Sequence, residues 1–300
     1  MDLASSIYNN DVSEYRSGPI LNGVVSSIRF AVCMATYTRP NNKTPNYLHK
    51  SLFSVLNQTA SNWHIFLVGD KYESQDEFNS IVSLMPPSKI TAVNLPIAPE
   101  RDNISDLENR WKVAGANAFN HAHKLALDAN FDYILHLDDD DFFHPKKIQL
   151  LNYICSIFPI PAFMFHYSDY VLDLVLPRFH CQPLEEDVIL PDYEQCIHKS
   201  SRHTCIQSLS PSNLLPVSED CIHSSYCIHK SVMKNFSFSG WRPGKTHYLE
   251  GDKQFLNYLH HYLYCNPAAF VVFLPFNLCD HKIQREFIPD PEPLENIHSQ

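Results

Sequence analysis

Four consecutive carboxylates at residues 138–141 are the part of this sequence best suited to chemistry. They follow a largely apolar segment, residues 133–137, and they end at Phe142 and Phe143. Adjacent carboxylates repel one another and Asp disfavours strands, so the run is favourable either beside a cation or in a solvated turn. A buried strand that ends in acids delivers them to the crevice where open α/β sheets bind ligands. The pattern therefore favours a cation site.

Two of these acids are predicted to act as a pair. Side chains at positions i and i+2 of an extended segment share a face, so Asp138 and Asp140 are expected together, with Asp139 and Asp141 pointing elsewhere. Mg2+ takes oxygen ligands, commonly one or two carboxylates with substrate phosphates and water, so the pair suits a nucleotide diphosphate. The structural alternative is an acidic cap on the helix expected to begin near Pro145.

The composition is that of a folded protein and argues against one class of partner. The 300 residues are 44% hydrophobic and 19% charged, which is enough to build the core of one large domain or two small ones. The formal net charge is -10, and no cluster of Lys and Arg could follow a phosphate backbone. Nucleic acid is therefore not expected as a partner.

Neither a transmembrane segment nor an export signal is predicted. The longest apolar run, residues 268–276, is interrupted by Pro275 and is shorter than the roughly 20 residues that span a bilayer. The first residues lack the basic and apolar regions of a signal peptide. Nine cysteines, an odd number scattered through the chain, do not indicate a disulfide framework, so reduced thiols and a cytoplasmic location are expected.

The first half of the chain alternates between strand and helix patterns. Strands are predicted over residues 28–34, 63–68 and 90–95 and in the apolar stretch before the acids. Helices are predicted from Thr44 (N-cap) and Pro45 to residue 56, over 73–85 and over 111–127. A polar loop with Arg101 and Arg110 is predicted over 96–109. The first strand, helix and strand form a right-handed βαβ unit. The fold class is therefore α/β with a mostly parallel central sheet flanked by helices.

The second half is less regular. Helices are predicted over residues 145–157, 231–235 and 255–263, and strands over 162–167, 226–229 and 268–274. A Pro-rich, loop-dominated region covers 176–218 and is expected to lie on the acceptor side of the site. Residues 1–27 are expected to form a loose lead-in, residues 28–287 a single domain, and residues 288–300 a mobile tail.

Several motifs occur in an order that resembles the family 2 glycosyltransferases of GT-A (Rossmann-like) fold. They are Ala-Thr-Tyr-Thr-Arg-Pro at 35–40, Gly-Asp at 69–70, Ala-Phe-Asn at 118–120, the acids at 138–141, residues 226–231 and Glu-Gly-Asp at 250–252. The similarity spans roughly residues 28–265. It implies an inverting enzyme that uses a nucleotide-activated sugar, with residues 28–141 as the nucleotide-binding half and 142–287 as the acceptor-binding half.

The resemblance assigns roles to individual positions on the donor side. The family's Asp-x-Asp motif falls on Asp138 and Asp140, which implies that these two residues hold Mn2+ or Mg2+ with the donor diphosphate. His281 lies where some family members bring a histidine near the metal. The residues implied to contact the nucleotide are Thr36, Tyr37, Arg39, Asp70, Asn120, Asp138 and Asp139, with Asp70 on the base.

The resemblance also implies a catalytic base. The family's acidic pair before a late helix falls on Glu250 and Asp252, and its Asp usually takes the acceptor's proton. In this sequence Gly251 separates the two acids, so either can be the base, and Phe119 stands where the family often has Arg. Direct inversion needs a base opposite a metal-stabilised diphosphate, which two separate acidic groups provide. The structural alternative is that both acids cap the helix that follows.

The function predicted from these features is metal-dependent transfer of a sugar from a nucleotide diphosphate sugar, with UDP favoured, to a hydroxyl of a glycan, a lipid-linked acceptor or a protein. One alternative is a nucleotidyltransferase, which is expected to have a Gly- and Arg-rich phosphate loop, whereas residues 35–40 contain no Gly. The other alternative is a non-catalytic carbohydrate-binding or scaffold protein that keeps the fold.

Cysteine and histidine also recur one residue apart, a pattern that a zinc site could use. The pairs are Cys196 with His198, His203 with Cys205, Cys221 with His223, and Cys227 with His229. None has the Cys-x2-Cys spacing of standard zinc sites, although residues i and i+2 of a strand share a face. Because residues 226–231 match a strand and helix start of the resembling family, packing in the core is favoured for that pair.

Overall fold

The structure is a computed structural model that describes residues 28–39, 44–157, 161–166, 223–266, 269, 271–274 and 278–280. The predicted lead-in, the Pro-rich region, the tail and His281 lie outside these residues. The predicted halves therefore remain predictions, although a single sheet contains strands from both.

A seven-stranded sheet forms the centre of the described part of the chain, in the order β3-β2-β1-β4-β7-β6-β8. All neighbouring strands are parallel except β7, which runs antiparallel to both β4 and β6. The strands are β1 (Phe30–Thr36), β2 (Trp63–Gly69), β3 (Ile90–Asn94), β4 (Tyr133–His136), β6 (Phe163–His166), β7 (Tyr226–His229) and β8 (Val271–Leu274). The prediction of a mostly parallel α/β sheet is confirmed.

Helices cover both faces of the sheet, and β1 shows why. Its side chains alternate, with Phe30, Val32 and Met34 in one hydrophobic core and Ala31, Cys33 and Ala35 in the other. The helices are α1 (Thr44–Leu56), α2 (Gln75–Val82), α3 (Pro99–Asn103), α4 (Leu107–Val113), α5 (Ala116–Asp128), α6 (Lys147–Ile157), α7 (Lys230–Met233) and α8 (Gly251–Cys265). Helices α1, α2 and α6 supply side chains to the first core, and α5, α7 and α8 supply the second.

A short two-stranded sheet, which the sequence pattern did not predict, follows the acids. Strand β5 (Phe142–Phe143) pairs antiparallel with β9 (Cys279–Asp280). Two residues are too few to show the alternating hydrophobic pattern of a strand, so such a strand is recognised only by its pairing with a distant segment. The pairing joins the segment after the acids to the far end of the described chain.

Two predictions for residues 96–127 were wrong. The expected polar loop contains α3 and α4, and the expected continuous helix is divided at Gly115. Gly115 has φ 74°, a left-handed conformation that Gly adopts without steric cost, and a Cβ there would lie 3.3 Å from the Ala35 Cβ. The close approach of α5 to the end of β1 therefore depends on this residue.

Candidate functional site

The four acids leave the sheet in a tight turn, here called the acidic turn (residues 138–141). The Leu137 amide donates to the Cys33 carbonyl, and the Asp141 amide donates to the Asp138 carbonyl at 3.2 Å. The expectation of an extended segment with Asp138 and Asp140 on one face is therefore wrong, because the chain turns as soon as it passes β4. In the turn, Asp139 and Asp141 are buried, whereas Asp138 and Asp140 are partly exposed.

Asp139 is bound by two residues that follow from β1. Arg39 makes a bidentate pair with its carboxylate, with Nη1 2.9 Å from Oδ2 and Nη2 2.6 Å from Oδ1. The Thr36 hydroxyl donates to Oδ2 at 2.7 Å and lies 2.8 Å from the Tyr72 hydroxyl. A forked guanidinium with two parallel hydrogen bonds fixes both groups in direction as well as distance. Thr36, Arg39 and Asp139 therefore lie together, although residue spacing alone predicted that Asp139 would point away from the other acids of the site.

The carboxylate of Asp140 lies among negative charges that the nearby arginine only partly neutralises. Its Oδ2 lies 3.3 Å from Arg39 Nη2, a longer contact than those of Asp139. Burial, followed by the charges of Asp139, Asp138 and Asp141, raises the pKa of Asp140 to about 7, against the opposing effect of Arg39. A cation placed at Asp140 would relieve this repulsion. The acidic turn is therefore electrostatically suited to a metal ion.

Asp141 anchors the turn to the core. Its side chain is fully buried and accepts from the Ser224 hydroxyl at 3.0 Å, while its carbonyl accepts from the Ser51 hydroxyl. Lys147, also fully buried, donates to the Ser224 carbonyl at 2.8 Å, and its Nζ lies 3.7 Å from the centre of the Phe143 ring. These contacts fix the acidic turn to the core beneath it.

Lys147 predicts a pH dependence of stability. Burial lowers its pKa from the ordinary 10.5 to about 8, so between these values the unfolded chain binds more protons than the folded one. We therefore expect the free energy of unfolding to rise as the pH increases from about 8 to about 10. Urea unfolding at pH 8 and pH 9.5 measures the rise, and Lys147→Met should remove it. An equal rise in the wild type and the variant would contradict this assignment.

A second cluster lies after β2, around Asp70. Arg101 Nε donates to Asp70 Oδ2 at 3.0 Å, and Arg101 Nη2 donates to the Lys71 carbonyl at 3.2 Å. Burial raises the pKa of Asp70, and the charge of Arg101 opposes the rise. Asp70 is only 2% exposed, and its Oδ1 has no hydrogen-bond partner among the described residues. This oxygen is available to accept from a ligand.

Tyr37 joins the two clusters. The guanidinium carbons of Arg39 and Arg101 lie 4.7 and 5.5 Å from the centre of its ring. The Thr44 hydroxyl donates to the Tyr37 carbonyl at 2.8 Å and accepts from the Arg39 amide at 2.8 Å. Thr44, predicted as the N-cap of α1, therefore holds the loop after β1 in place. Arg39, Tyr37 and Arg101 therefore form one cationic and aromatic surface that connects the acidic turn to the buried Asp70.

The second acidic pair lies at the start of α8. Glu250 is paired with Lys253 at 3.1 Å, and Asp252 belongs to the first helical turn. Phe255, three residues further along the same face, packs on the His136 ring with the centres 5.1 Å apart. Because His136 ends β4, this contact places the first turn of α8 beside the strand that leads into the acidic turn.

Asn120 does not present its amide to this surface. Its Nδ2 donates to the Phe238 carbonyl at 2.9 Å, and its Oδ1 accepts from the Phe238 amide at 2.8 Å. Both polar atoms are therefore used to hold the segment before α8. Phe119, at the position where Arg was expected, is buried against the His136 and Phe238 rings. We accordingly leave Asn120 out of the proposed nucleotide contacts.

The described residues fit a metal held jointly with a ligand better than a metal held by protein alone. No three His, Cys, Asp or Glu side chains in this part of the chain are grouped to hold an ion. Asp138 and Asp140 can supply one or two carboxylates, and ligand phosphates would complete the shell. Of the cysteine–histidine pairs, only Cys227 and His229 have described side chains; Cys227 is in the core, and His229 Nδ1 lies 2.8 Å from the Ser231 hydroxyl.

Sequence reasoning missed three residues of the site. Tyr72 bonds Thr36, Arg101 holds Asp70, and Lys147 lies beneath the acidic turn. Arg101 was noted only as part of a polar loop, and the regular hydrophobic spacing of α6 gave no sign that Lys147 is buried. Their roles depend on contacts between residues distant in the chain.

Comparisons with known proteins found a matching family model, a relative in sequence and structures of similar fold. Residues 31–156 match the family model Glycosyl transferase family 2. An uncharacterized glycosyltransferase of Acanthamoeba polyphaga mimivirus is 32% identical over 267 residues, which are 87% of this chain and 96% of that protein.

Among solved structures, TarS residues 1–349 of S. aureus align with 84% of this chain at 13% identity and a TM-score of 0.54. A second structure of S. aureus TarS aligns over the same share at 12% identity and a TM-score of 0.52. This chain covers 60% and 36% of those two structures, and the likeness concerns the fold. In the described part of the chain, no helix has both the length and the apolar character to cross a membrane.

Proposed function

This chain belongs to glycosyl transferase family 2, and from that membership we propose that it transfers a sugar from a nucleotide diphosphate sugar to a hydroxyl acceptor with inversion. The observation that carries the proposal is the acidic turn, where three neighbouring carboxylates surround Asp140 and Arg39 only partly offsets their charge, beside a cationic and aromatic surface. A diphosphate with its divalent cation matches both parts of that surface.

The Asp70 cluster is proposed to bind the base of the nucleotide. Uracil presents one N–H donor between two carbonyl acceptors. Asp70 Oδ1 offers an acceptor, and the Arg101 guanidinium beside it offers donors, so the pair complements that edge. Guanine presents two adjacent donors, which a single free oxygen matches less well. UDP is therefore favoured over GDP, and Tyr37 provides a ring next to the base.

The acidic turn is proposed to bind the diphosphate through Mn2+ or Mg2+. Asp138 and Asp140 would hold the ion, which when bound supplies charge stabilisation for the departing diphosphate. Arg39 adds a fixed positive charge that is already oriented by Asp139. His281, the other proposed ligand, lies outside the described residues.

Asp252 is proposed as the catalytic base. It lies in the first turn of α8, and i, i+3 spacing puts it on the same face as Phe255, which contacts β4. Glu250 precedes the helix and is paired with Lys253. A base on this face can take the proton of an acceptor hydroxyl as the diphosphate leaves. The acceptor is proposed to be a hydroxyl of a glycan, a lipid-linked molecule or a protein, and the compartment to be the cytoplasm.

Calorimetric titration of UDP, GDP and dTDP in the presence of Mn2+ tests the proposal. We expect UDP to bind, and binding to be lost on removal of the metal with EDTA and in Asp140→Ala. Asp128→Ala is the matched control, because Asp128 is an exposed acid paired with Lys124 at the far end of α5. Failure of all three nucleotides to bind in a metal-dependent manner would contradict the donor assignment.

Arg101→Met gives a second test, of base recognition. Without Arg101, buried Asp70 loses its charge partner, so its pKa should rise further and its free oxygen should become a poorer acceptor. We expect the dissociation constant of UDP to rise roughly tenfold, equivalent to about 1.4 kcal/mol, and that of GDP to change less. Lys124→Met removes an exposed positive charge as the control. An equal loss for both nucleotides would show that Arg101 does not read the base.

A further inference from the structure

Glu100, on α3, is a buried acid for which the proposed reaction has no use. The side chain is 2% exposed, and its Oε2 has no hydrogen-bond partner among the described residues. Burial raises its pKa and the charge of Asp70 adds to the rise, while the nearby backbone amides of Glu100 itself, Trp241 and Asn117 oppose it. A buried acceptor without a partner destabilises the fold, so stability alone does not explain its presence.

The carboxylate touches the backbone of a distant segment. A Cβ added at Gly240 would overlap Glu100 Oε1, so only Gly fits there while Glu100 keeps its position. Asn117 is the second residue of α5, whose N-cap Gly115 makes no side-chain hydrogen bond. Glu100 therefore supplies the negative charge that the start of α5 favours, and it contacts residues 240–241 at the same time.

Its own helix is fixed to the nucleotide side. The next residue, Arg101, binds Asp70, and Asp102 pairs with Lys71 Nζ at 2.8 Å. Both Asp70 and Lys71 follow directly from β2. Movement of α3 is therefore coupled to the proposed base-binding cluster.

Residues 239–241 are in turn fixed to the start of α8. Gln254 Oε1 accepts from the Ser239 amide at 2.6 Å, and its Nε2 donates to the Leu249 carbonyl at 2.6 Å. Trp241 packs with three buried apolar residues, namely Ile104 just after α3, Val113 of α4 and Tyr248 before α8. The segment touched by Glu100 thus leads directly to the helical turn that carries Asp252.

We propose that Glu100 is a positioning residue that holds the start of α8, which carries the proposed catalytic base Asp252, in register with the nucleotide-binding half. The inference rests on the proposed function, because it concerns the alignment of the base with the bound donor. Its contact with Gly240 connects α3, on the nucleotide side, to the segment that precedes α8. Loss of that contact should misplace Asp252 without removing any group that binds the nucleotide.

A double-mutant cycle of Glu100→Ala and Gly240→Ala tests the proposal. The readouts are the rate at which UDP forms from UDP-glucose and UDP-N-acetylglucosamine with Mn2+, the calorimetric affinity for UDP, and the urea midpoint. Each single variant should lower the rate at least tenfold and change UDP affinity less than threefold. Glu100→Gln, which keeps one accepting oxygen, should retain an intermediate rate.

The double variant distinguishes loss of the specific contact between Glu100 and Gly240 from a general loss of structure. With Glu100 removed, the nearest remaining side-chain neighbour of a methyl at Gly240 is the Ala116 Cβ at 3.6 Å, an ordinary contact. The double variant should therefore be no slower and no less stable than Glu100→Ala alone. Glu108→Ala, an exposed acid of α4 paired with Lys112, is the control and should match the wild type.

Three outcomes would overturn the inference: additive effects of the two substitutions, a loss of UDP affinity as large as the loss of rate, or wild-type rates in Glu100→Ala. Failure of the proposed function is distinguishable, because a wild-type protein that does not bind UDP contradicts the donor assignment before any variant is compared.

Discussion

Replacement of Asp252 by asparagine is expected to lower the rate of UDP formation from a UDP-sugar by a factor of about 1,000. A positioned base contributes typically 10²–10⁴ in rate, and an amide of the same shape cannot take the proton. UDP affinity in the presence of Mn2+ should stay within twofold of the wild type, because Asp252 belongs to α8 and not to the donor surface. Water serves as the acceptor where the natural one is not supplied.

Glu250→Gln is the matched comparison for this prediction. Glu250 precedes the helix and its carboxylate is paired with Lys253, so we expect its replacement to slow the reaction less than tenfold. The reverse order, with Glu250→Gln the slower variant, would transfer the role of base to Glu250. A loss of UDP affinity in Asp252→Asn that equals the loss of rate would place Asp252 in donor binding instead.

Arg39→Met is expected to have the largest effect on both stability and donor binding. The Arg39 side chain is 17% exposed and that of Asp139 is 5% exposed, so their bidentate pair is largely removed from water. Removing one partner of a buried ion pair leaves the other charge uncompensated, at a cost of about 3–5 kcal/mol. We expect the free energy of unfolding in urea to fall by about 3 kcal/mol and UDP affinity to fall at least 100-fold.

The double variant Arg39→Met with Asp139→Asn separates the two effects. Removal of both charges leaves no buried ion unpaired, so much of the lost stability should return. UDP affinity should stay low, because the fixed cation beside the diphosphate is still absent. If stability does not return, the loss in Arg39→Met comes from packing against Tyr37 and Tyr47 and not from the ion pair.

The two acidic groups of the site are placed by different physical means. The acidic turn is a property of β4 and of the buried anchors beneath it, Asp141 and Lys147. The first turn of α8 is placed by an aromatic contact, Phe255 on His136, and by the loop that Glu100 touches. A substitution can therefore disturb the position of the base without disturbing donor binding. For this reason the predicted variants of α8 lower the reaction rate and leave UDP affinity nearly unchanged.

The sequence by itself determined the order of elements and the site residues that follow the strands. Near-continuous apolar runs identify β1, β2 and β4, and parallel neighbours must open at the same edge. Thr36, Tyr37, Arg39, Asp70 and the four acids are therefore expected in one region, and in the structure Thr36 and Arg39 bind Asp139 while the Asp70 amide donates to the Thr36 carbonyl. The spacing of apolar residues is sufficient for such conclusions because each strand or helix contains the whole pattern within its own segment.

Tertiary structure alone decided which of these residues interact. Asp139 was expected to point away from the binding face, but it binds Arg39 because the chain turns after β4 and does not continue as an extended segment. Asn120 holds Phe238, and α3 and α4 replace a predicted loop. The contacts of Asp139 and Asn120 join residues 100 and 118 positions apart, and no local period encodes a distant partner. The contact of Glu100 with Gly240 is of the same kind, which explains why it is found only in the folded chain.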